Sequence, residues 1–181
     1  CRQQFLWHVS REKHGLSLLD IVKHALKTII YTLDPDDRFS LVVYSSSARV
    51  EFKLEYMTLE GKTNALAHVD KLHTEGSTNL WDGLYTGMGV LNEAKDSGRN
   101  AGLFLLTDGM PNIEPPRGHL PMLKKYNDEH PDFLCTINTF GFGYNLDSSL
   151  LNDLSVYGNG AYAFIPDSGF VGTIFVHSLA N

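Results

Sequence analysis

Apolar residues recur at two different periods along this chain, and the alternation between those periods predicts its elements. Across residues 16–33, Leu18, Val22, Ala25, Leu26, Ile29, Ile30 and Leu33 fall at three- and four-residue steps, the stripe of an amphipathic helix. Asp34-Pro-Asp-Asp-Arg38 then favours a turn. Residues 39–44 (Phe-Ser-Leu-Val-Val-Tyr) are apolar enough for a central strand, and a serine-rich turn follows at 45–48. Residues 49–57 switch to period two, with Val50, Phe52, Leu54 and Tyr56 alternating against polar neighbours, which predicts a half-exposed antiparallel edge strand.

Helical spacing returns at 58–72 (Leu59, Leu66, Val69, Leu72) and, after the polar loop 73–78, at 79–95 (Leu80, Leu84, Met88, Leu91). Further strands are predicted at 102–107, 133–142 and 161–165. Helices are predicted at 120–129, at 147–157 with Asp147 as its cap, and at 169–179. Residues 4–9 (Gln-Phe-Leu-Trp-His-Val) form a short strand candidate, poor as a buried one because of Trp7 and His8. Strands alternating with helices imply an α/β fold, a doubly wound, mostly parallel sheet covered on both faces. No internal repeat, low-complexity tract or linker interrupts the chain, which suits a single domain over residues 1–181.

The chemistry concentrates where the strand at 102–107 ends. Gly102-Leu-Phe-Leu-Leu-Thr107 is a short apolar run, as expected of a strand buried on both faces, and Asp108 and Gly109 stop it. Asp108 is thereby placed at the C-terminal rim of the sheet, where open α/β sheets hold their ligands. Read blandly, it is a turn residue. A second polar group, Gly76-Ser-Thr-Asn-Leu-Trp-Asp-Gly83, sets two hydroxyls and an amide just before a helix. Ser77 or Thr78 could simply cap that helix. The sharper alternative has Thr78 and Asp108 share a hard cation, and magnesium suits oxygen ligands of this kind.

Other patterns carry less. The eight histidines include no His-Glu-x-x-His pair, and most read as surface residues. Gly141-Phe-Gly-Tyr-Asn lacks the third glycine of a dinucleotide fingerprint, and no Gly-Lys-Ser/Thr phosphate loop occurs. Ser45–Ser47 lack a nucleophile elbow, and Pro115-Pro-Arg-Gly-His119 reads as a rigid surface connection. A net charge of −6 provides no electrostatic footprint for nucleic acid. No apolar run approaches the roughly 20 residues that span a bilayer, and no secretory leader is expected. Cys1 and Cys135 show no metal or redox spacing, so the chain is expected to be intracellular, in the reducing cytoplasm. It begins at Cys1 rather than methionine, which leaves a truncated fragment as an alternative.

Three stretches together resemble a von Willebrand factor type A domain: Asp36-Asp-Arg-Phe-Ser-Leu-Val-Val-Tyr-Ser-Ser-Ser-Ala-Arg49, Gly76-Ser-Thr-Asn-Leu-Trp-Asp-Gly-Leu84 and Leu103-Phe-Leu-Leu-Thr-Asp-Gly109. Asn138-Thr-Phe-Gly-Phe-Gly143 and Gly160-Ala-Tyr-Ala-Phe-Ile-Pro166 are similar to the last two strands of intracellular members. The resemblance runs from about Gly15 to the C-terminus, with residues 1–14 atypical. It implies a six-stranded sheet of order 3-2-1-4-5-6 with one antiparallel edge strand. It also implies a metal-ion-dependent adhesion site built from an Asp-x-Ser-x-Ser loop, a threonine and an aspartate. Thr78 and Asp108 match the last two of these.

The first is altered. His8-Val-Ser-Arg-Glu12 has His8 for the aspartate, Ser10 for the first serine and Glu12 for the second. The resemblance thus implies metal ligands Thr78, Asp108 and Ser10, with Mg2+ or Mn2+ as cofactor at an incomplete site. Either the first strand is degenerate, or the true strand and loop are missing. Thr78-Asn-Leu-Trp-Asp-Gly83 and Pro115-Pro-Arg-Gly-His-Leu-Pro-Met122 look like a eukaryotic subgroup that often carries RING, U-box or Hint-type modules, which implies a link to ubiquitin transfer. The function implied is a non-enzymatic module that binds a protein partner, through an acidic side chain, at the C-terminal rim. The rival is a metal-dependent hydrolase using Asp108, with Glu75, Asp82 and Glu114 as its nearest loop carboxylates.

Overall fold

In the computed structural model, residues 18–94 and 99–165 are described in full and residues 2–7 as backbone. One sheet carries the strands β1 (Arg2–Trp7), β2 (Arg38–Tyr44), β3 (Ala48–Tyr56), β4 (Ala101–Thr107), β5 (Cys135–Phe142) and β6 (Tyr162–Ile165). Their spatial order is β3-β2-β1-β4-β5-β6. All neighbours are parallel except β2 and β3, the hairpin at one edge. The helices are α1 (Leu18–Thr32), α2 (Leu59–Lys71), α3 (Leu80–Glu93), α4 (His119–Glu129) and α5 (Ser148–Tyr157).

Alternation along the strands sorts the core into two layers. From β2, Phe39, Leu41 and Val43 join Phe104 and Leu106 of β4 and Phe140 and Phe142 of β5 in a cluster with α1 and α2. From the same strands, Val42, Tyr44, Leu103, Leu105 and Ile137 face a second cluster with α3, α4 and α5. Because helices cover both faces, β4 reads as an uninterrupted apolar run. Within the first layer the Phe104 and Phe140 rings pack at 5.3 Å between centroids.

Three expectations need correcting. The first strand is not missing: β1 sits at the centre of the sheet, in register with both β2 and β4, because a parallel strand between two covered neighbours satisfies their inner edges. On β3 only Phe52 of the four alternating apolar residues is buried. The pairing with β2 shifts register around Leu41, and Tyr56 instead lies against the guanidinium groups of Arg38 and Arg99, each 5.6 Å from its ring centroid. Helix α2 turns inward through Gly61, Ala65 and Val69, whereas Leu59 is 86% exposed. A Cβ on Gly61 would meet the Tyr56 carbonyl oxygen, so close approach to β3 selects the small face. Asp147 does cap α5, accepting from the Leu150 N–H at 2.9 Å, but the helix expected at 169–179 lies outside the described residues.

Candidate functional site

Asp108 stands at the end of parallel strand β4, and the loop that follows it is hydrogen-bonded through Asn112 to the α2–α3 loop that carries Thr78. Asp108 follows β4 directly and is 3% exposed. Beneath it the Tyr44 hydroxyl donates to the Leu106 carbonyl at 3.0 Å. Burial drives that phenol far above its ordinary value, a hydrogen bond with Thr107 opposes the shift, and the Asp108 charge adds to it. Tyr44 is therefore a neutral donor, a fixed floor for the rim. Its ring leans on α3 where Gly83 stands: a Cβ there would lie 2.7 Å from ring atoms. That close approach explains a glycine inside the first turn of a helix. Thr107 closes the turn after Asp108, its hydroxyl donating to the Gly109 carbonyl at 3.2 Å.

Thr78 is 4% exposed, and it does not cap α3. Asn79 does, accepting from the Asp82 N–H at 3.2 Å. Asn79 also anchors the loop sideways, with its N–H on the Ser45 carbonyl at 2.7 Å and its side-chain amide on the Ser46 carbonyl at 3.0 Å. The serine turn is thus more than a hydroxyl-rich bend, since it is the wall against which the Thr78 loop rests. Asn112, from the loop after β4, brackets Thr78 from the other side. The Thr78 N–H donates to Asn112 Oδ1 at 2.9 Å, and the Asn112 N–H donates to the Thr78 carbonyl at 3.2 Å.

The three carboxylates expected near the rim hold structure together, Glu75 and Glu114 from loops and Asp82 from the first turn of α3. Glu75 accepts from the Ser45 hydroxyl at 2.6 Å and pairs with Arg49 at 2.8 Å; the Ser45 hydrogen bond, then the Arg49 guanidinium, hold its carboxyl below the usual range against the opposing effect of burial. Asp82 accepts from the Ala48 N–H at 2.6 Å, tying α3 to the β2–β3 hairpin. Glu114 lies 3.2 Å from His119 Nδ1.

His119 is the exception among the described histidines, the others being exposed or half-buried as expected of most of them. It opens α4 with its side chain 3% exposed, and burial pulls its pKa below the ordinary value while Glu114 and Asp147 oppose that shift. The residues that sequence reading passed over are Asn79, Asn112, Tyr44 and His119. Asn112 had one visible signal, an amide four residues beyond Asp108 in the same loop. Ser10, with His8 and Glu12, lies outside the described residues. Among the described residues no three His, Cys, Asp or Glu side chains gather closely enough to hold a metal. Nor is any described helix long and apolar enough to cross a membrane.

The profile of the von Willebrand factor type A domain matches residues 10–175. The chain belongs to the von Willebrand factor type A family. VWA domains are protein-interaction and adhesion modules, generally non-enzymatic, and the family's adhesion site can hold a divalent cation. An uncharacterized protein of Synechocystis sp. is 28% identical over 147 residues, covering 81% of this chain and 33% of its own length. A probable E3 ubiquitin-protein ligase, WAVH2 of Arabidopsis thaliana, is 31% identical over 101 residues, covering 53% of this chain and 14% of its own. The chain therefore spans about a third or less of the length of these curated relatives. Among solved structures, a von Willebrand factor type A protein from Catenulispora acidiphila superposes with a TM-score of 0.81 at 20% identity, over 97% of this chain and 41% of that one. Proximal thread matrix protein 1 of the mussel byssus, with a zinc-occupied adhesion motif, superposes with a TM-score of 0.70 at 19% identity, over 99% of this chain and 45% of that one. At these identities the two structures establish the VWA fold alone.

Proposed function

We propose that this VWA domain is a non-enzymatic module that engages a protein partner through the rim carrying Thr78 and Asp108. The observation that supports it best is that a buried carboxylate and a buried threonine stand on two loops joined by the Thr78–Asn112 hydrogen bonds, the helix cap being Asn79 instead. The Asp108 carboxylate and the Thr78 hydroxyl are hard oxygen donors of the kind magnesium and manganese prefer, and Ser10 would add a third. When bound, the cation supplies the positive charge that accepts a partner's carboxylate.

The site is incomplete in this reading, because His8 stands where the family has an aspartate. That exchange removes a full negative charge near the cation and offers a nitrogen that suits magnesium poorly. Weak affinity follows, and the partner's own carboxylate becomes part of the coordination. An intracellular setting and a link to ubiquitin transfer belong to the same proposal, and they rest on the similarity to the plant ligase. Imaging a tagged full-length protein tests the setting.

Thermal melting against Mg2+ and Mn2+ tests the site, since a ligand of the native state alone raises the midpoint. A small rise at millimolar cation is expected, abolished by Asp108→Ala and enlarged by His8→Asp, which restores the missing charge. No rise in either the native chain or His8→Asp would sink the metal reading.

A further inference from the structure

The loop before α3 and the loop after β4 meet at one residue, and that residue is neither of the two expected to face a ligand. Asn112 satisfies both peptide groups of Thr78: its Oδ1 accepts from the Thr78 N–H at 2.9 Å, and its own N–H donates to the Thr78 carbonyl at 3.2 Å. Such a two-point contact resembles one rung of a β-ladder, with a side-chain amide replacing one backbone group. Pro111 precedes it, fixing its own φ and holding Met110 extended, so the loop reaches Asn112 with few conformations to lose. Beyond Thr78, Asn79 continues the chain of contacts to Ser45 and Ser46. Beyond Asn112, Glu114 meets His119 at the start of α4.

We propose that Asn112 is a positioning residue, a latch that holds the Thr78 loop and the Asp108 loop as one unit, so that a change at either is felt by the other. Asn112 acts through Thr78 rather than on a ligand. Its consequence for cation affinity rests on the rim reading given above, whereas the latch itself does not.

Amide hydrogen exchange on the native chain, Asn112→Ala and Asn112→Asp tests the latch directly. Losing one net hydrogen bond should speed exchange at the Thr78 amide by about five- to tenfold in Asn112→Ala. Exchange at Leu105 in β4 should stay unchanged, showing that the variant is folded. Asn112→Asp keeps an acceptor at the same place and should restore protection at Thr78. Unchanged exchange at Thr78 in Asn112→Ala, or no recovery in Asn112→Asp, overturns the latch. Mn2+ titration by thermal melting forms the second arm. If the native chain responds, Asn112→Ala should need several-fold more Mn2+ for the same rise, and an equal response overturns the coupling to the ligand site. If the native chain does not respond to Mn2+, the metal reading of the rim fails, while the exchange result still decides the latch.

Discussion

Among individual side chains, His119 carries the clearest consequence. Its ring is buried at the start of α4, with Glu114 at 3.2 Å and the charge of Asp147 nearby. Burial favours the neutral ring, so the folded chain binds that proton less readily than the unfolded chain, whose imidazole titrates near 6.5. The resulting stability is full above that pH and is lost as pH falls below it, toward the depressed folded value. Denaturant unfolding from pH 7.5 down to about 5 should therefore show declining stability, and His119→Gln should flatten the slope. An unchanged slope would mean that other groups carry it. Glu75 adds a separate loss at lower pH, since its depressed carboxyl contributes above the ordinary value near 4.5 and ceases to as pH falls through its folded value. In sequence His119 follows Pro-Pro-Arg-Gly, a polar setting with no hint of burial. Its environment is made by chain that is near in space, and no local pattern records that.

At the scale of elements, helix caps separate the legible from the hidden. Asp147 was readable as the cap of α5, since an aspartate stands just before an apolar-periodic run. At α3 the sequence offered Ser77 or Thr78 as the cap, and the structure gives that place to the next residue, Asn79. The choice falls on Asn79 because its peptide and amide also bond the serine turn, which points its Oδ1 toward the first turn of α3. Asn79→Ala should lower stability by about 1–2 kcal/mol through the lost cap, measurable as a reduced urea midpoint. A loss under about 0.3 kcal/mol would show that water replaces Asn79 at no cost. Helix α2 teaches a related lesson: of the expected face, Val69 and Leu72 are buried and Leu66 packs on the core, but Leu59 is exposed, and Gly61 joins the buried face where the Tyr56 carbonyl leaves no room for a side chain.

The whole sheet depends on its least conspicuous strand. β1 pairs with β2 on one side and β4 on the other, so both neighbours are interior only while it is present. A chain starting at residue 10 would expose two apolar edges, and open edges template association. Size-exclusion chromatography should find that truncated chain aggregated. A monomer melting at the same temperature would contradict the central place of β1. From the sequence it is expected at residues 4–9 and discounted for Trp7 and His8; the strand spans Arg2–Trp7, and Arg2, Gln3 and Gln4 fill half of its six positions. A strand needs partners more than composition, and its partners lie more than thirty residues away in sequence.

The sequence alone determined the alternation of strands and helices, the antiparallel edge, the burial of β4 and the rim position of Asp108. All of these follow from local geometry, because the backbone period decides which side chains share a face. The contacts that shape the rim were decided by the fold: Thr78 with Asn112 and Ala48 with Asp82, each 34 residues apart, and Ser45 with Glu75, 30 apart. Each joins a polar side chain to a group far away in sequence. Their meeting depends on how the sheet orders its strands, and no local period encodes that order.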